Sequence, residues 1–187
     1  GIFLGANATD IYFHDTYFVV AHFHYTFFPI AIIATFAAVT FWFPKMFGRT
    51  MNEALGKLHF WGTVIPFNLI FIPLFLTGAA GQHRRIYSYE NFPQLSTPWL
   101  NQMAVVATLA LVVMLVVQGV FLFNFFWSLR RGTKVGANPW NANTLEWAAP
   151  SPPPHGNFAT MPTVYRGPYE YGVPGRDSDF WPQHVPN

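Results

Sequence analysis

The feature that most constrains the fold is a long run without formal charge: no Asp, Glu, Lys or Arg occurs between residues 16 and 44. A helix needs only about 20 residues to cross the hydrocarbon core of a bilayer, so this run is long enough to span one. The composition agrees, because 52% of the 187 residues are hydrophobic and only 10% are charged. That balance departs from the average of soluble domains. The sequence therefore predicts a membrane protein.

Three apolar spans divide the chain, at about residues 17–43, 58–80 and 100–129. Each is long enough for one transmembrane helix, and a helix satisfies its own backbone hydrogen bonds, as the lipid interior requires. Pro29, Pro66 and Pro73 lie within the first two spans and predict local kinks. We therefore expect an all-α membrane protein with three transmembrane helices.

Basic residues in the connections predict the orientation of these spans. They cluster in the first connection and after the third span, at Lys45, Arg49, Lys57, Arg130, Arg131 and Lys134. By the positive-inside rule these segments lie on the cytoplasmic or matrix side, so residues 1–16 form an outer-side loop. Arg84 and Arg85 follow the second span on the outer side, against this rule. Such a pair requires a local anionic partner.

Residues 130–187 form a tail on the cytoplasmic or matrix side. Nine prolines fall between Pro150 and Pro186, which predicts an extended or disordered segment. The domain organisation expected from the sequence is thus an outer loop at 1–16, the helices within 17–129, and this Pro-rich tail.

His22 and His24 lie just inside the first span, where ionisable residues are costly and usually functional. Residues two apart on a helix point about 200° from one another, so these side chains cannot chelate one metal ion together. Each can instead ligate a different centre, as in a helix held between two haems. The alternative is a pair of histidines that line a polar contact between helices. Cysteine is absent, which excludes thiolate zinc sites and iron–sulfur clusters.

These histidines lie within HDTYFVVAHFHY (residues 14–25), which resembles subunit I of the haem–copper oxidases, specifically the cytochrome c oxidases that use haem a. The resemblance continues in order along the chain through FWFPKMFG, GKLHF, QHRRIYSY, SLRRG and NPWNANTLEWAAPSPPPHGNF. It implies the last three helices of a twelve-helix bundle, in the C-terminal portion of subunit I. The implied reaction is the reduction of O₂ to water with electrons from cytochrome c, coupled to proton translocation.

The resemblance also implies roles for residues near two haems. His22 corresponds to the axial ligand of haem a3, where oxygen reacts, and His24 to an axial ligand of haem a. Arg84 and Arg85 correspond to residues that pair with haem propionates, which guanidinium groups bind well. Asp10 is a weaker candidate for the hydrogen-bond network of a haem a3 propionate.

His14 and Asp15 correspond in the same family to ligands of a Mg²⁺ ion. A carboxylate suits this hard cation, whereas imidazole is a less usual ligand for it. From the residues alone, a polar loop and helix start is the more ordinary interpretation, since Asp and Thr are common at such positions.

The other implied partners lie outside this chain. They are the N-terminal part of subunit I on another chain, subunit II with CuA and a share of the Mg²⁺ site, subunit III, cytochrome c and membrane lipid. CuB is expected in the complex but on ligands from elsewhere, so the isolated chain is not expected to be active. Gly1 in place of an initiator Met, with no recognisable signal peptide, predicts an internal start. We expect no partnership with nucleic acid.

Three alternatives stay open. A haem–copper quinol oxidase shares the His-x-His helix, although the Asp of HDTY favours the cytochrome c branch. A nitric oxide reductase-like relative shares the histidines but matches the flanks poorly. The chain could also be a structural membrane subunit descended from an oxidase. The expected location is a bacterial plasma membrane, with the mitochondrial inner membrane as the alternative.

Overall fold

Helices account for nearly all the regular structure in the residues that the computed structural model describes, which are 1–89, 91–178 and 180–186. The α-helices are α1 (Asn7–Phe13), α2 (Tyr17–Phe28), α3 (Ala34–Phe47), α4 (Glu53–Ala79), α5 (Pro98–Arg131) and α6 (Leu145–Ala148), and a short 3₁₀ helix spans Pro93–Leu95. No β-strand is present in this described part of the chain, which has two isolated bridges instead. The all-α prediction is confirmed.

In the part of the chain that the structure describes, three helical segments are long and apolar enough to cross a membrane: Tyr17–Phe47, Glu53–Ala79 and Pro98–Arg131. The first contains a π-helical turn, Pro29–Ile33, between α2 and α3. Proline has no backbone N–H to donate, and π-turns mark irregularities within helices. The three long apolar segments confirm the predicted number of helices that could span a membrane.

The chain divides into two compact units. The first comprises residues 1–36 and 54–123, and the second comprises residues 37–53 and 124–187. Every candidate site residue named from the sequence lies in the first unit.

The first unit is built on a small apolar core that α2, α4 and α5 share. Its buried members are Ala21, Phe67, Ile70, Phe71, Ala110 and Met114. Polar contacts add to this packing, since Gln118 of α5 lies 3.1 Å from Nε2 of His59 and donates to Oγ1 of Thr63 at 3.2 Å. Hydrogen bonds of this kind join helices within an apolar environment.

The second unit holds the tail through hydrogen bonds to backbone groups. Lys45 is buried and donates from Nζ to the carbonyl oxygens of Ala137 at 2.9 Å and Ala149 at 2.6 Å. Arg49 donates from Nη1 to the carbonyl oxygen of Gly132, which also lies in the tail, at 2.7 Å. The tail is thus packed by specific contacts although it contains little regular structure.

Candidate functional site

The helix that carries both candidate haem ligands, α2, begins at a well-defined cap. Thr16 is 1% exposed, and its Oγ1 accepts a hydrogen bond from the backbone N–H of Phe18 at 3.3 Å. The same hydroxyl donates to the carbonyl oxygen of Phe13 at 2.7 Å. Such a cap satisfies a backbone donor that the first turn leaves unpaired. The cap fixes the residue at which α2 begins, and so it fixes the positions of His22 and His24 along the helix axis.

The His24 side chain is held in one orientation by two contacts. Its Nδ1 lies 2.8 Å from the carbonyl oxygen of Val20, one turn earlier in α2. Its ring stacks on Phe71 of α4, with centroids 4.6 Å apart and an interplanar angle of 17°. A hydrogen bond from Nδ1–H leaves the lone pair of Nε2 available to a metal, which is the arrangement of a neutral imidazole ligand.

The His22 side chain lies on a different part of the α2 surface. It is half-buried, and its Nε2 would lie 3.4 Å from a Cβ added at Gly1. Its imidazole makes no hydrogen bond with the residues that the structure describes. The two histidines are separated on α2, as the helical spacing predicts.

Asp15, which lies just before the start of α2, forms an ion pair with Arg84. Arg84 donates from Nε at 2.9 Å and from Nη2 at 2.7 Å, both to Oδ1 of Asp15. This hydrogen bonding holds the pKa of the Asp15 carboxyl below its ordinary value. The structure thus brings together two residues for which the sequence analysis expected separate partners.

Backbone contacts reinforce this ion pair. The backbone N–H of Arg84 donates to the carbonyl oxygen of Asp15 at 2.9 Å, and the N–H of Tyr17 donates to that of Gln82 at 3.0 Å. Asp15 has φ 57°, in the left-handed region that few residues other than glycine adopt. Residues 82–84 are therefore paired with the segment that leads into α2.

His14 lies between two carboxylates. Its Nε2 is 3.4 Å from Oδ2 of Asp15, and its Nδ1 is 3.8 Å from Oδ1 of Asp10. All three side chains are about half exposed or more. Among the described residues, no group of three or more His, Cys, Asp or Glu residues could hold a metal ion. A cation here would need further ligands from outside the residues that the structure describes.

Arg85 differs from its neighbour. It is exposed, has φ 66°, and its side chain makes no hydrogen bond with the residues that the structure describes. Two successive guanidinium groups thus have different environments, one paired with Asp15 and one open to an external anion.

The chemistry of these residues suits haem and Mg²⁺, the two groups that the family resemblance implies. His24 presents an oriented imidazole, which suits haem iron. Asp15 engages Arg84 through Oδ1 and keeps Oδ2 available to a hard cation.

Comparison with known proteins identifies the family. A family model described as "Cytochrome C and Quinol oxidase polypeptide I" matches residues 1–113. The chain belongs to this oxidase family.

Relatives within the family are bacterial proteins named as cytochrome c oxidase subunits. The chain is 43% identical to the alternative cytochrome c oxidase subunit 1 of Bradyrhizobium diazoefficiens over 188 residues, which covers 100% of this chain and 32% of the relative. It is 43% identical to cytochrome c oxidase subunit 1 of Synechocystis over 174 residues, 92% of this chain and 30% of that protein. The Bacillus subtilis protein of the same name is 40% identical over 165 residues, 88% of this chain and 26% of the relative. The chain thus spans about a third or less of the length of these relatives.

The sequence analysis missed two polar and aromatic contacts around α2. Tyr25 donates from its hydroxyl to Oδ1 of Asn68 at 2.6 Å, and Phe71 stacks on His24. Residues 67, 71 and 75 are all Phe at a spacing of four, which places them on one face of a helix. That spacing was the available signal for an aromatic face beside the histidines.

Outside the spans, Tyr89 was also missed. Its hydroxyl donates to the carbonyl oxygen of His83 at 2.7 Å. Burial raises the pKa of the Tyr89 phenol, and a hydrogen bond with Tyr17 acts in the same direction. These contacts help to hold the segment that contains Arg84.

Proposed function

We propose that this chain supplies the haem-ligating helix of cytochrome c oxidase subunit I, within a complex that transfers electrons from cytochrome c to O₂. The observation that carries the proposal is the orientation of His24, whose Nδ1 lies 2.8 Å from a backbone carbonyl oxygen. That contact favours the tautomer with the proton on Nδ1, so that Nε2 would be free to hold the iron of haem a. His22, on another part of α2, is the corresponding ligand of haem a3.

When bound, the haem irons supply one-electron redox chemistry and a coordination position for oxygen. The residues of this chain hold those groups in place. His22 and His24 ligate through imidazole nitrogen from a single helix, so their separation is set by its geometry. Arg84 and Arg85 would donate hydrogen bonds to propionates at the outer surface, where carboxylates otherwise cost desolvation energy. Arg84 would do so through Nη1, because its Nε and Nη2 donate to Asp15. Asp10 joins the hydrogen-bond network of a haem a3 propionate.

The test of the haem proposal is to count haems in the purified complex after replacing each histidine singly. His22→Ala is expected to lose the high-spin, CO-sensitive haem signal, and His24→Ala the low-spin signal. His155→Ala is the control, because His155 is exposed and lies in the tail. Reduced-minus-oxidised spectra with and without carbon monoxide give the readout. Retention of both haems with unchanged spin state in either variant would contradict that ligand assignment.

The same spectrum distinguishes a cytochrome c oxidase from the closest alternative, a quinol oxidase. The family description covers quinol oxidases as well as cytochrome c oxidases, and a quinol oxidase shares the His-x-His helix. Haem a absorption supports the cytochrome c oxidase proposal, whereas haem b or o absorption favours a quinol oxidase. A complex without any haem signal would instead indicate a structural subunit.

We also propose that His14 and Asp15 contribute two ligands to a Mg²⁺ site completed by water and by subunit II. Support comes from the 3.4 Å separation of His14 Nε2 and Asp15 Oδ2. Mn²⁺ is a paramagnetic substitute that accepts the same oxygen-rich ligands. Complex prepared with Mn²⁺ should show a bound Mn²⁺ electron paramagnetic resonance signal that Asp15→Asn weakens. An equal signal in the variant would remove Asp15 from the site.

We assign the remaining parts of the reaction to residues and subunits other than these 187 residues. CuB and its ligands, the other axial ligand of haem a and the proton pathways lie in the N-terminal part of subunit I, and CuA lies in subunit II. Subunit III and membrane lipid complete the surroundings. The chain functions in a bacterial plasma membrane, consistent with three spanning helices and bacterial relatives.

A further inference from the structure

We propose that Phe71 is a positioning residue for His24, and that its ring fixes the plane of the imidazole that ligates haem a. The inference rests on the proposed function, in which His24 is an axial ligand. It adds a residue on a second helix, α4, that sets the orientation of the ligand rather than touching the iron.

The geometry consists of two contacts on different parts of one imidazole. Phe71 covers a face of the His24 ring at a centroid distance of 4.6 Å and an angle of 17°. The carbonyl oxygen of Val20 lies 2.8 Å from Nδ1 at the ring edge. Rotation about the bond from Cβ to the ring would break the hydrogen bond and push the imidazole edge into Phe71. The imidazole plane is therefore fixed by both contacts together.

Phe71 is itself unable to follow a moving imidazole. It is 7% exposed, and its ring packs against Phe67 at a centroid distance of 4.9 Å. Close to this pair, Tyr25 of α2 donates to Asn68 of α4 at 2.6 Å, so the two helices are joined beside the stack. Buried aromatic side chains in such packing occupy well-defined rotamers. Phe71 therefore keeps one position and does not adjust to a movement of the His24 ring.

A fixed imidazole plane has a measurable consequence at a bound iron. The plane of an axial imidazole determines how its π orbitals overlap with the iron d orbitals. In a low-spin ferric haem this overlap sets the g values seen by electron paramagnetic resonance. Groups around a ligand that fix its orientation tune the metal in the same way in other sites.

The experiment compares three variants of the assembled, oxidised complex by electron paramagnetic resonance. Phe71→Leu removes the flat ring and is expected to shift the largest low-spin g value by more than its line width. Phe71→Tyr keeps the aromatic plane and should retain the wild-type value. Phe75→Leu is the matched control, because Phe75 lies on the same helix, packs against the same core and is in ring contact with Phe18 and Tyr25 rather than with Phe71 or His24.

Unchanged g values in Phe71→Leu would overturn the positioning role, as would an equal shift or equal haem loss in Phe75→Leu. Phe71→Met replaces Phe71→Leu in this comparison where the latter does not assemble. Failure of the proposed function looks different. In that case the wild-type complex lacks a low-spin haem signal, or His24→Ala retains it.

Discussion

At the scale of single residues, one carboxylate organises the segment before α2. Asp15 uses Oδ1 for Arg84 and leaves Oδ2 facing His14 at 3.4 Å. Both donor atoms of Arg84 converge on one oxygen, so the pairing does not use the whole carboxylate. The proposed Mg²⁺ site would therefore use the other oxygen of this carboxylate, Oδ2.

Asp15→Asn is predicted to lower the unfolding temperature of the complex at neutral pH but not in acid. The folded-state pKa of Asp15 lies below its ordinary value because Arg84 donates to it. Its contribution is therefore fully present above the pKa of the unfolded state and is lost as pH falls through the lower folded-state pKa. The gap between wild type and variant should narrow only below about pH 4. Since both side chains are partly exposed, the gap is small.

Asp10→Asn provides the control for this pH series. Asp10 contacts His14 at 3.8 Å and is not part of the Arg84 pair. Thermal unfolding of the three proteins across the pH range gives the comparison. A gap for Asp15→Asn that stays constant into acid, or an equal gap for Asp10→Asn, would contradict the assignment.

The sequence predicted the position of the two histidines on a charge-free helix, because helical spacing is a local property. It could not predict the pairing of Arg84 with Asp15, which lie 69 positions apart. Contacts between distant segments depend on how the helices pack, and no periodicity within either segment carries that information. The arginine pair on the unexpected side did indicate an anionic partner, and Asp15 is one such group.

At the scale of elements, Gly78 allows α4 to approach the start of α2. A Cβ added at Gly78 would lie 2.7 Å from Cα of Phe18 and 2.7 Å from the carbonyl carbon of Tyr17. Both are backbone atoms, which cannot rotate aside as a flexible side chain can. The absence of a side chain here therefore sets the distance between the two helices beside the candidate site.

Gly78→Ala is predicted to lower the unfolding temperature of the complex and its haem content. Overpacking of this kind costs about 1–3 kcal/mol, and it displaces the start of the helix that carries His22 and His24. Gly119→Ala is the matched control, because nothing lies within 4 Å of the Cβ that it adds in α5. Equal unfolding temperatures for the two variants would show that the close approach does not limit packing.

The sequence predicted the number of long helices but not their local irregularities or close contacts. Apolar length indicated three spans, because hydropathy reports burial in lipid. The π-helical turn at Pro29–Ile33 could not be deduced, since a proline within a helix can be accommodated in several ways. The tight approach at Gly78 was equally hidden, because one glycine near a helix end has several possible causes.

At the scale of the whole molecule, exposed apolar surface indicates what surrounds the chain. In the most apolar stretches of the three spanning segments, only 6%, 39% and 11% of residues are buried. Such extensive apolar surface requires lipid or further helices.

Lys45→Met is predicted to loosen the tail while leaving the membrane helices folded. The change removes two hydrogen bonds to Ala137 and Ala149, at 2.9 and 2.6 Å. Hydrogen bonds from a charged donor contribute about 1.5–3 kcal/mol, so chymotryptic cleavage in the tail should accelerate roughly tenfold or more. Lys134→Met is the control, because the Lys134 side chain is exposed. Equal cleavage rates in both variants would show that Lys45 does not anchor the tail.

The predicted orientation of the whole chain can be tested with introduced thiols, because the chain has no cysteine of its own. Tyr87 and Tyr169 are both exposed, one after the second spanning helix and one in the tail. A helix lies between them, so they must be on opposite sides if all three helices span the membrane. The positive-inside rule assigns Tyr169 to the cytoplasmic side.

A membrane-impermeant maleimide should therefore label Tyr87→Cys in intact spheroplasts and Tyr169→Cys only in inverted vesicles. A permeant maleimide, applied to both preparations, shows that each thiol is reactive in the assembled complex. Labelling of both positions from one side would contradict three spans. The reverse pattern would instead preserve the spans and invert the orientation. That inverted result would place His14, Asp15 and Arg84 on the cytoplasmic side, and the proposed metal and propionate sites would then face the wrong compartment.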